Sequence, residues 1–417
     1  MSAGVLVIGA GQAAVQLACS LREDGYQLPI TLVSDQPHAP YQRPPLSKAF
    51  LKGAASVESL AFRDPEFYET HEITLLTGER VVAVDRRDDG SGTAACASGR
   101  SLEYTRLVLA TGAVPRRPPV AARGLAGTYV LETLDDATAL RAGLADARDV
   151  VVIGGGFIGL EVAASARLLG RSVVVVETAT TLMGRVVSPL VADRALLHHR
   201  RSGVDVRLGV APTSIAVDDD AVSGVELDDG TMLPAQAVVL GVGVSPRVTL
   251  AEQLGLDCDD GIIVDSSCVA SDGTTLAIGD CAVTATPEGA GASGRIRLES
   301  VDNATEQAKI AADTLMGRPR DGRWVPWFWS DQGDFKLQIA GLRHPTDHAV
   351  VRDYPDSSKL TVIHYREGRM VAAESANAPA DFVASRKALG NGWTLDPARV
   401  ADPACSLKSL LEDASRA

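Results

Sequence analysis

The chain has 417 residues, 46% hydrophobic and 22% charged, a balance that suits a folded globular protein and argues against disorder, collagen and coiled coil. Its 40 Lys and Arg against 53 Asp and Glu leave a net charge of −13, so a general nucleic-acid binder, which needs a basic surface for phosphates, is disfavoured. The start of the chain has no charged leader or cleavage site, and its uncharged run at 4–21 holds glutamines and interior glycines, so neither a signal peptide nor a membrane span is expected there. The six cysteines, at 19, 96, 258, 268, 281 and 405, form no CxxC or CxxxxC and are expected to be reduced, buried thiols of a cytoplasmic protein.

The first element is a short apolar strand followed by a glycine-rich turn and a helix, and it recurs. Residues 5–18 (VLVIGAGQAAVQLA) match residues 150–163 (VVVIGGGFIGLEVA). Each copy leads into a second apolar strand ending in an acid, Asp35 after 30–34 and Glu177 after 172–176. This is a strand–helix–strand unit twice over, with an acid about 20 residues past each glycine loop. In Gly9, Gly11 and Ala14, and again in Gly154, Gly156 and Gly159, the first glycine permits a tight turn. The second lets a pyrophosphate approach the backbone, and the small third residue lets the helix sit close to the strand. The free N–H groups of each helix start then face the phosphates. Two such loops, each with its strand and acid, predict two bound dinucleotides. Glu177 has no arginine beside it, so a 2′-phosphate would meet an unbalanced carboxylate, and NADH is expected over NADPH.

Further along, 107–112 (LVLATG) resembles 238–243 (VVLGVG), so each unit closes on a strand that turns at a glycine. Short strands are expected at 261–265 and 276–280, a flexible loop at 289–294, and an alanine-rich helix at 302–316 ended by Gly317 and Pro319. From Trp324 the texture changes. Aromatic residues cluster at 324–329, strands are expected at 335–340, 348–352 and 359–366, and a tail helix holds Leu407, Leu410 and Leu411. The adjacent His198 and His199 are expected on a solvated helix, and no histidine or cysteine spacing suggests a metal site.

The boxes PYQRPPLSK at 40–48, ATGAVPR at 110–116, GGGFIGLE at 154–161, Gly279-Asp280, RLESVDN at 297–303 and WFWSDQ at 327–332, with the first glycine loop, resemble the FAD-dependent ferredoxin reductases of cytochrome P-450 and aromatic-ring dioxygenase systems. The resemblance spans nearly the whole chain. It implies an α/β fold in a glutathione-reductase-like arrangement: an FAD-binding Rossmann-like domain from 1–113 and 244–320, an NAD-binding one at 114–243, and a C-terminal α+β domain at 321–417. By position it assigns Gly9, Gly11, Ala14, Asp35, Arg43, Lys48, Val82, Ala110, Thr111, Gly112, Arg116, Asp280 and Val301 to FAD. It assigns Gly154, Gly156, Ile158, Gly159, Glu177, Val242 and Gly243 to NAD. Lys48 paired with Glu161 is implied beside the flavin, where a cation favours the electron-rich reduced form. Trp329 is implied at the flavin edge and the acceptor-docking surface. The chain departs from its relatives at Gly333, where they tend to carry an aromatic residue.

Without a redox cysteine pair, electrons must leave from the flavin itself. NADH delivers two at once, and a flavin can release them singly to a separate 2Fe-2S ferredoxin, since the chain has no four-cysteine cluster motif of its own. Such an acceptor is acidic, so Arg295, Arg297, Lys336 and Lys408 are the candidate docking cations. A thiol-free NADH oxidase or quinone reductase, a rubredoxin reductase and an NADH-sensing scaffold keep the same two nucleotide sites. A monomer or weak dimer is expected.

Overall fold

The computed structural model describes residues 3–120, 124–286, 294–318, 324–354 and 357–415. Pro319 and all but the last residue of the loop expected at 289–294 lie outside the described residues. The chain forms two compact units. The first comprises 1–42, 57–114 and 245–322; the second comprises 43–56, 115–244 and 323–417. Residues 43–56, expected with the FAD domain, therefore group with the second unit, as does the C-terminal region.

In the first unit the run Val5–Ile8 is the middle strand of a five-stranded parallel sheet in the order Leu276–Ala277, Arg106–Leu109, Val5–Ile8, Ile30–Val33, Ile73–Leu76. A parallel sheet covered on both faces needs uninterrupted apolar strands, which is why these runs carry no polar alternation. The helix Gln12–Glu23 packs against the helix Val301–Leu315 through Ala14, Ala18, Ala304, Ala308, Ala311 and Ala312, small side chains that let the two backbones approach. Ser300 accepts a hydrogen bond from the Asn303 N–H and caps that second helix, fixing its start at Val301 rather than at 302. A three-stranded antiparallel sheet, Val81–Arg86, Gly92–Cys96 and Ser101–Tyr104, and a small three-stranded sheet of Ile262–Ile263, Ala282–Ala285 and Arg295–Ile296 belong to the same unit.

The second unit repeats this plan. Its five parallel strands run in the order Asp205–Leu208, Ser172–Glu177, Asp149–Ile153, Ala237–Leu240, Thr128–Tyr129, accompanied by an antiparallel sheet of Pro212–Asp218, Ala221–Leu227 and Met232–Pro234. The C-terminal part is a five-stranded antiparallel sheet in the order Trp327–Gln332, Phe335–Gly341, Arg369–Ala376, Leu360–Arg366, His348–Asp353. Three of these strands lie where the sequence places them. The central strand Arg369–Ala376 and the helix Pro379–Gly390 beneath it are not predicted by periodicity. Leu407, Leu410 and Leu411 are buried on the tail helix Leu407–Ala414.

The histidine expectation requires correction. The helix Pro189–Arg201 carries both residues, but His199 is 0% exposed, because this face of the helix packs into the second unit. No described helix is long and apolar enough to cross a membrane.

Candidate functional site

In the first glycine loop Gly9 has φ +121°, and a Cβ there would lie 2.1 Å from the Ala110 carbonyl oxygen. Only glycine allows the strand ends Ile8 and Leu109 to continue side by side into this turn. At Gly11, by contrast, no atom lies within 4 Å of where a Cβ would stand. Gly11 is the N-cap of the helix Gln12–Glu23 and no side chain caps it. The loop thus presents bare backbone and free N–H donors to open space, which is what a pyrophosphate requires. The residues fit a dinucleotide.

Around this loop the remaining predicted positions of the first unit fall as follows. Ala14 is fully buried under the loop. The Thr111 hydroxyl donates to the Arg247 carbonyl at 2.7 Å, and the Arg247 N–H donates to the Gly112 carbonyl at 2.9 Å, tying the end of the strand Arg106–Leu109 to the 245–247 segment. Asp35, past the strand Ile30–Val33, meets the Arg247 guanidinium at 3.3 Å. The Val82 side chain is 44% exposed, and its carbonyl accepts from Gln253. Asp280 sits in the turn Gly279–Cys281, where the Gly279 N–H donates to the buried Gln307 at 2.7 Å. Val301 opens its helix, so its N–H is one of the unbonded first-turn donors.

The second loop has the same build. Gly154 has φ +110°, with a would-be Cβ 2.4 Å from the Gly241 carbonyl oxygen. Gly156 caps the helix Phe157–Leu168 without side-chain help. Ile158 is 45% exposed at the mouth of this helix. Glu177 ends the strand Ser172–Glu177, and its carboxylate accepts from the Gly155 N–H at 2.6 Å and the Ala179 N–H at 2.8 Å. These bonds lock the acid at the loop, leaving lone pairs for ribose hydroxyls. Val242 is half-buried, and Gly243, with φ +95°, accepts from the Arg116 N–H at 2.9 Å. Arg43 donates to the Glu132 carbonyl at 2.6 Å and pairs with its carboxylate at 3.5 Å.

Lys48 and Glu161 also lie in the second unit, and the structure joins them. Two prolines stiffen the entry to a π-helical turn, Leu46–Phe50, whose wide winding places Ser47 and Lys48 side by side. Lys48 Nζ donates to Glu161 Oε2 at 2.6 Å, and the Ser47 hydroxyl donates to the same oxygen at 2.5 Å. Glu161 lies one turn beyond Phe157 on the glycine-loop helix. The strand Trp327–Gln332 runs past this face. Its alternate residues Phe328 and Ser330 meet Phe157, with ring centroids at 4.6 Å, and Glu161 Oε1, with the Ser330 hydroxyl donating at 2.7 Å. Its opposite face carries Trp327 and Trp329, stacked at 5.2 Å and 27°, with the Arg386 guanidinium 4.7 Å from the Trp327 ring centre. Ser47, Ser330 and Gln332, which the sequence reading misses although they lie inside the PPLSK and WFWSDQ boxes, join the Lys48–Glu161 pair in one hydrogen-bonded cluster. The period-two alternation in the second box is the signal that points to Ser330 and Gln332; no such signal marks Ser47.

Two expectations about side-chain exposure change. The Arg297 side chain is only 7% exposed, drawn in by Glu299 at 2.6 Å, Asp260 at 3.5 Å and the Asp280 carbonyl, so it is not a docking cation. All six cysteines are free thiols, but Cys258 and Cys405 are half-buried rather than buried. Cys281 is fully buried, and burial pushes its thiol pKa up, away from the reactive thiolate. Among the described residues no cluster of three or more metal-ligating side chains occurs.

Residues 3–308 match the pyridine nucleotide-disulphide oxidoreductase family, and residues 327–411 match the reductase C-terminal family. The chain belongs to the first of these, whose members use FAD and NAD(P)H. It is 41% identical to rhodocoxin reductase of Rhodococcus erythropolis over 97% of this chain and 93% of that one. It is 38% identical to putidaredoxin reductase of Pseudomonas putida over 98% and 96%. Among solved structures, a covalent putidaredoxin reductase–putidaredoxin complex superposes with a TM-score of 0.94, 37% identity and full coverage of both chains.

Proposed function

We propose that this protein is an NADH-dependent ferredoxin reductase that passes electrons through FAD, one at a time, to a separate 2Fe-2S ferredoxin serving a P-450-type monooxygenase or a ring dioxygenase. The observation that carries this reading is the pairing of two open glycine loops with six free thiols, of which Cys281, in the turn beside Asp280, is buried with its pKa pushed up. When bound, FAD supplies the chemistry that converts the electron pair of one hydride into single electrons. The first loop, Asp35, Asp280 and the Val301 N–H hold FAD, with Arg43, Val82, Ala110, Thr111, Gly112 and Arg116 as further contacts. The second loop, Ile158, Glu177, Val242 and Gly243 hold NADH.

Lys48 supplies the cation that favours the reduced flavin, and Glu161 holds the Lys48 ammonium in one place. Trp329 shapes the outlet side, and the exposed Lys336 and Lys408 attract an acidic acceptor. The relatives whose names carry rhodocoxin and putidaredoxin support this choice of acceptor. The free thiols suit the reducing cytoplasm.

Purified yellow protein, mixed with NADH and a panel of 2Fe-2S ferredoxins, tests the reading. At least one ferredoxin is expected to be reduced, at a rate that falls as salt is added. Turnover on oxygen or quinone with no ferredoxin reduced would overturn it.

A further inference from the structure

Behind the Lys48–Glu161 pair lies a buried chain of polar side chains. Lys48 and Ser47 occupy Glu161 Oε2, and the Ser330 hydroxyl donates to Oε1 at 2.7 Å. The Ser330 oxygen in turn accepts from Gln332 Nε2 at 3.2 Å, and Gln332 Oε1 accepts from His199 Nε2 at 2.8 Å. Ser330, Gln332 and His199 are each 0% exposed. They come from two separate elements, the strand Trp327–Gln332 and the helix Pro189–Arg201, and form a relay that ends on one carboxylate oxygen of a third, the helix Phe157–Leu168.

The direction of the bonds is uniform. His199 donates to Gln332, Gln332 to Ser330 and Ser330 to Glu161, so every dipole in the chain points its positive end at the carboxylate. The far end is fixed as a neutral donor. Burial, with His198 adding to it and the Gln332 hydrogen bond opposing it, holds the His199 pKa at about 4, so the ring is neutral at ordinary pH. Among the described residues its other nitrogen, Nδ1, is buried without a hydrogen-bond partner, a cost that a purely structural core position would avoid by carrying an apolar residue. Gln332 cannot rotate freely, because its second N–H faces Met183 Sδ at 3.3 Å.

We propose that Ser330, Gln332 and His199 are positioning residues for electron transfer. By occupying Glu161 Oε1 they leave Oε2 as the acceptor for Lys48, and so set where the Lys48 cation stands. This rests on the reading above in which Lys48 serves the flavin. Were Ser330 absent, Oε1 would lose its donor, the carboxylate could rotate about its last bond, and the ammonium would follow it. A displacement of an ångström at a reacting centre costs rate far out of proportion to the stability involved.

The test uses the FAD-loaded protein with Ser330→Ala, Ser330→Thr, Gln332→Met and Lys48→Met, each alone, and the double variant S330A/K48M. The readouts are stopped-flow reduction of the flavin by NADH and the flavin midpoint potential from a spectroscopic redox titration. Ser330→Ala is expected to slow reduction by about tenfold and to move the potential in the same direction as Lys48→Met, by no more than that variant does. Ser330→Thr, which keeps the hydroxyl, restores both. In the double variant Ser330→Ala adds nothing to Lys48→Met, because the network acts only through the lysine. If Ser330→Ala does not yield loaded protein, Gln332→Met carries the same expectations.

Wild-type rate and potential in both network variants, while Lys48→Met is slow, would overturn the positioning role alone. So would full additivity in the double variant, which marks a merely structural effect. A Lys48→Met protein that behaves as wild type would overturn the Lys48 reading and the network proposal together.

Discussion

The two glycine-loop units are copies of one plan, with residues 5–18 set against 150–163, yet their helices spend the same positions differently. Gln16 of the first helix corresponds to Glu161 of the second, and Ser20 to Ser165. In the first unit these two residues satisfy one another, Gln16 Nε2 donating to the Ser20 hydroxyl at 3.1 Å. In the second they turn outward to the 43–56 segment: Glu161 takes Lys48 and Ser47, and Ser165 donates to the Ser47 carbonyl at 2.7 Å. The acids differ as well. Glu177 is pinned by two backbone N–H groups, that of Gly155 in the glycine loop and that of Ala179 just beyond it, whereas Asp35 leans on the Arg247 guanidinium. A duplicated cradle thus keeps its backbone geometry, which holds phosphates, and varies the side chains around it, which decide what else happens there.

The sharpest way to break this comparison is to close each loop in turn. Gly9→Ala puts a methyl 2.1 Å from a carbonyl oxygen at φ +121°, and Gly154→Ala does so at 2.4 Å and +110°. Each carries strain of at least about 2 kcal/mol. Gly9→Ala is expected to purify colourless, without FAD. Gly154→Ala is expected to stay yellow with KM for NADH raised at least about tenfold. The reverse pattern, read from absorbance and steady-state kinetics, would interchange the two sites. A second test bears on the acids. Comparing kcat/KM for the two donors is expected to favour NADH by at least about tenfold, since a 2′-phosphate would stand against Glu177, and Glu177→Gln is expected to narrow that gap. A preference for NADPH defeats this assignment.

Acid lability separates the units next. His199 of the second unit is buried and neutral, with a pKa of about 4 against about 6.5 when unfolded, while His38 and His71 of the first are not buried. Its contribution is fully present above about pH 6.5 and is lost as pH falls towards 4, a swing of about 3 kcal/mol. The fall in Tm between pH 7 and pH 5 is therefore expected to shrink in His199→Gln; an unchanged fall refutes this. The smallest effect sharpens the loop comparison itself. Gly159→Ala puts a methyl 2.2 Å from the Gly154 carbonyl oxygen and is expected to cost about 2 kcal/mol, whereas Ala14→Gly at the matching position should cost only about 1 kcal/mol. Denaturant unfolding measures both, and a Gly159→Ala cost no larger than that of Ala14→Gly would overturn the tighter third position of the second loop.

Much of this architecture is legible in the amino-acid order. The parallel strands announce themselves because both of their faces are buried, so Val5–Ile8 and Asp149–Ile153 read as unbroken apolar runs. The antiparallel sheets at 81–104 and 212–234 are not legible, since their strands mix exposed and buried residues and bear bulges that disturb the alternation. The strand Arg369–Ala376 is hidden for another reason: it is central to its sheet but carries the buried Glu374, which pairs with His364 of the neighbouring strand and accepts from the Ser188 N–H, 186 residues away. The burial of His199 is hidden for the same cause, because it depends on the strand that ends at Gln332.

The sequence by itself determined the backbone chemistry of this protein: glycine where φ is positive, small residues where helices meet strands, and an acid at each second strand's end. These are local requirements, and a local pattern can state them. Only the tertiary structure decided which polar side chains act together, because Ser47, Glu161, His199, Ser330 and Gln332 come from four separate stretches of chain. Their bonds require angles and distances of a few ångströms that no spacing along the sequence encodes.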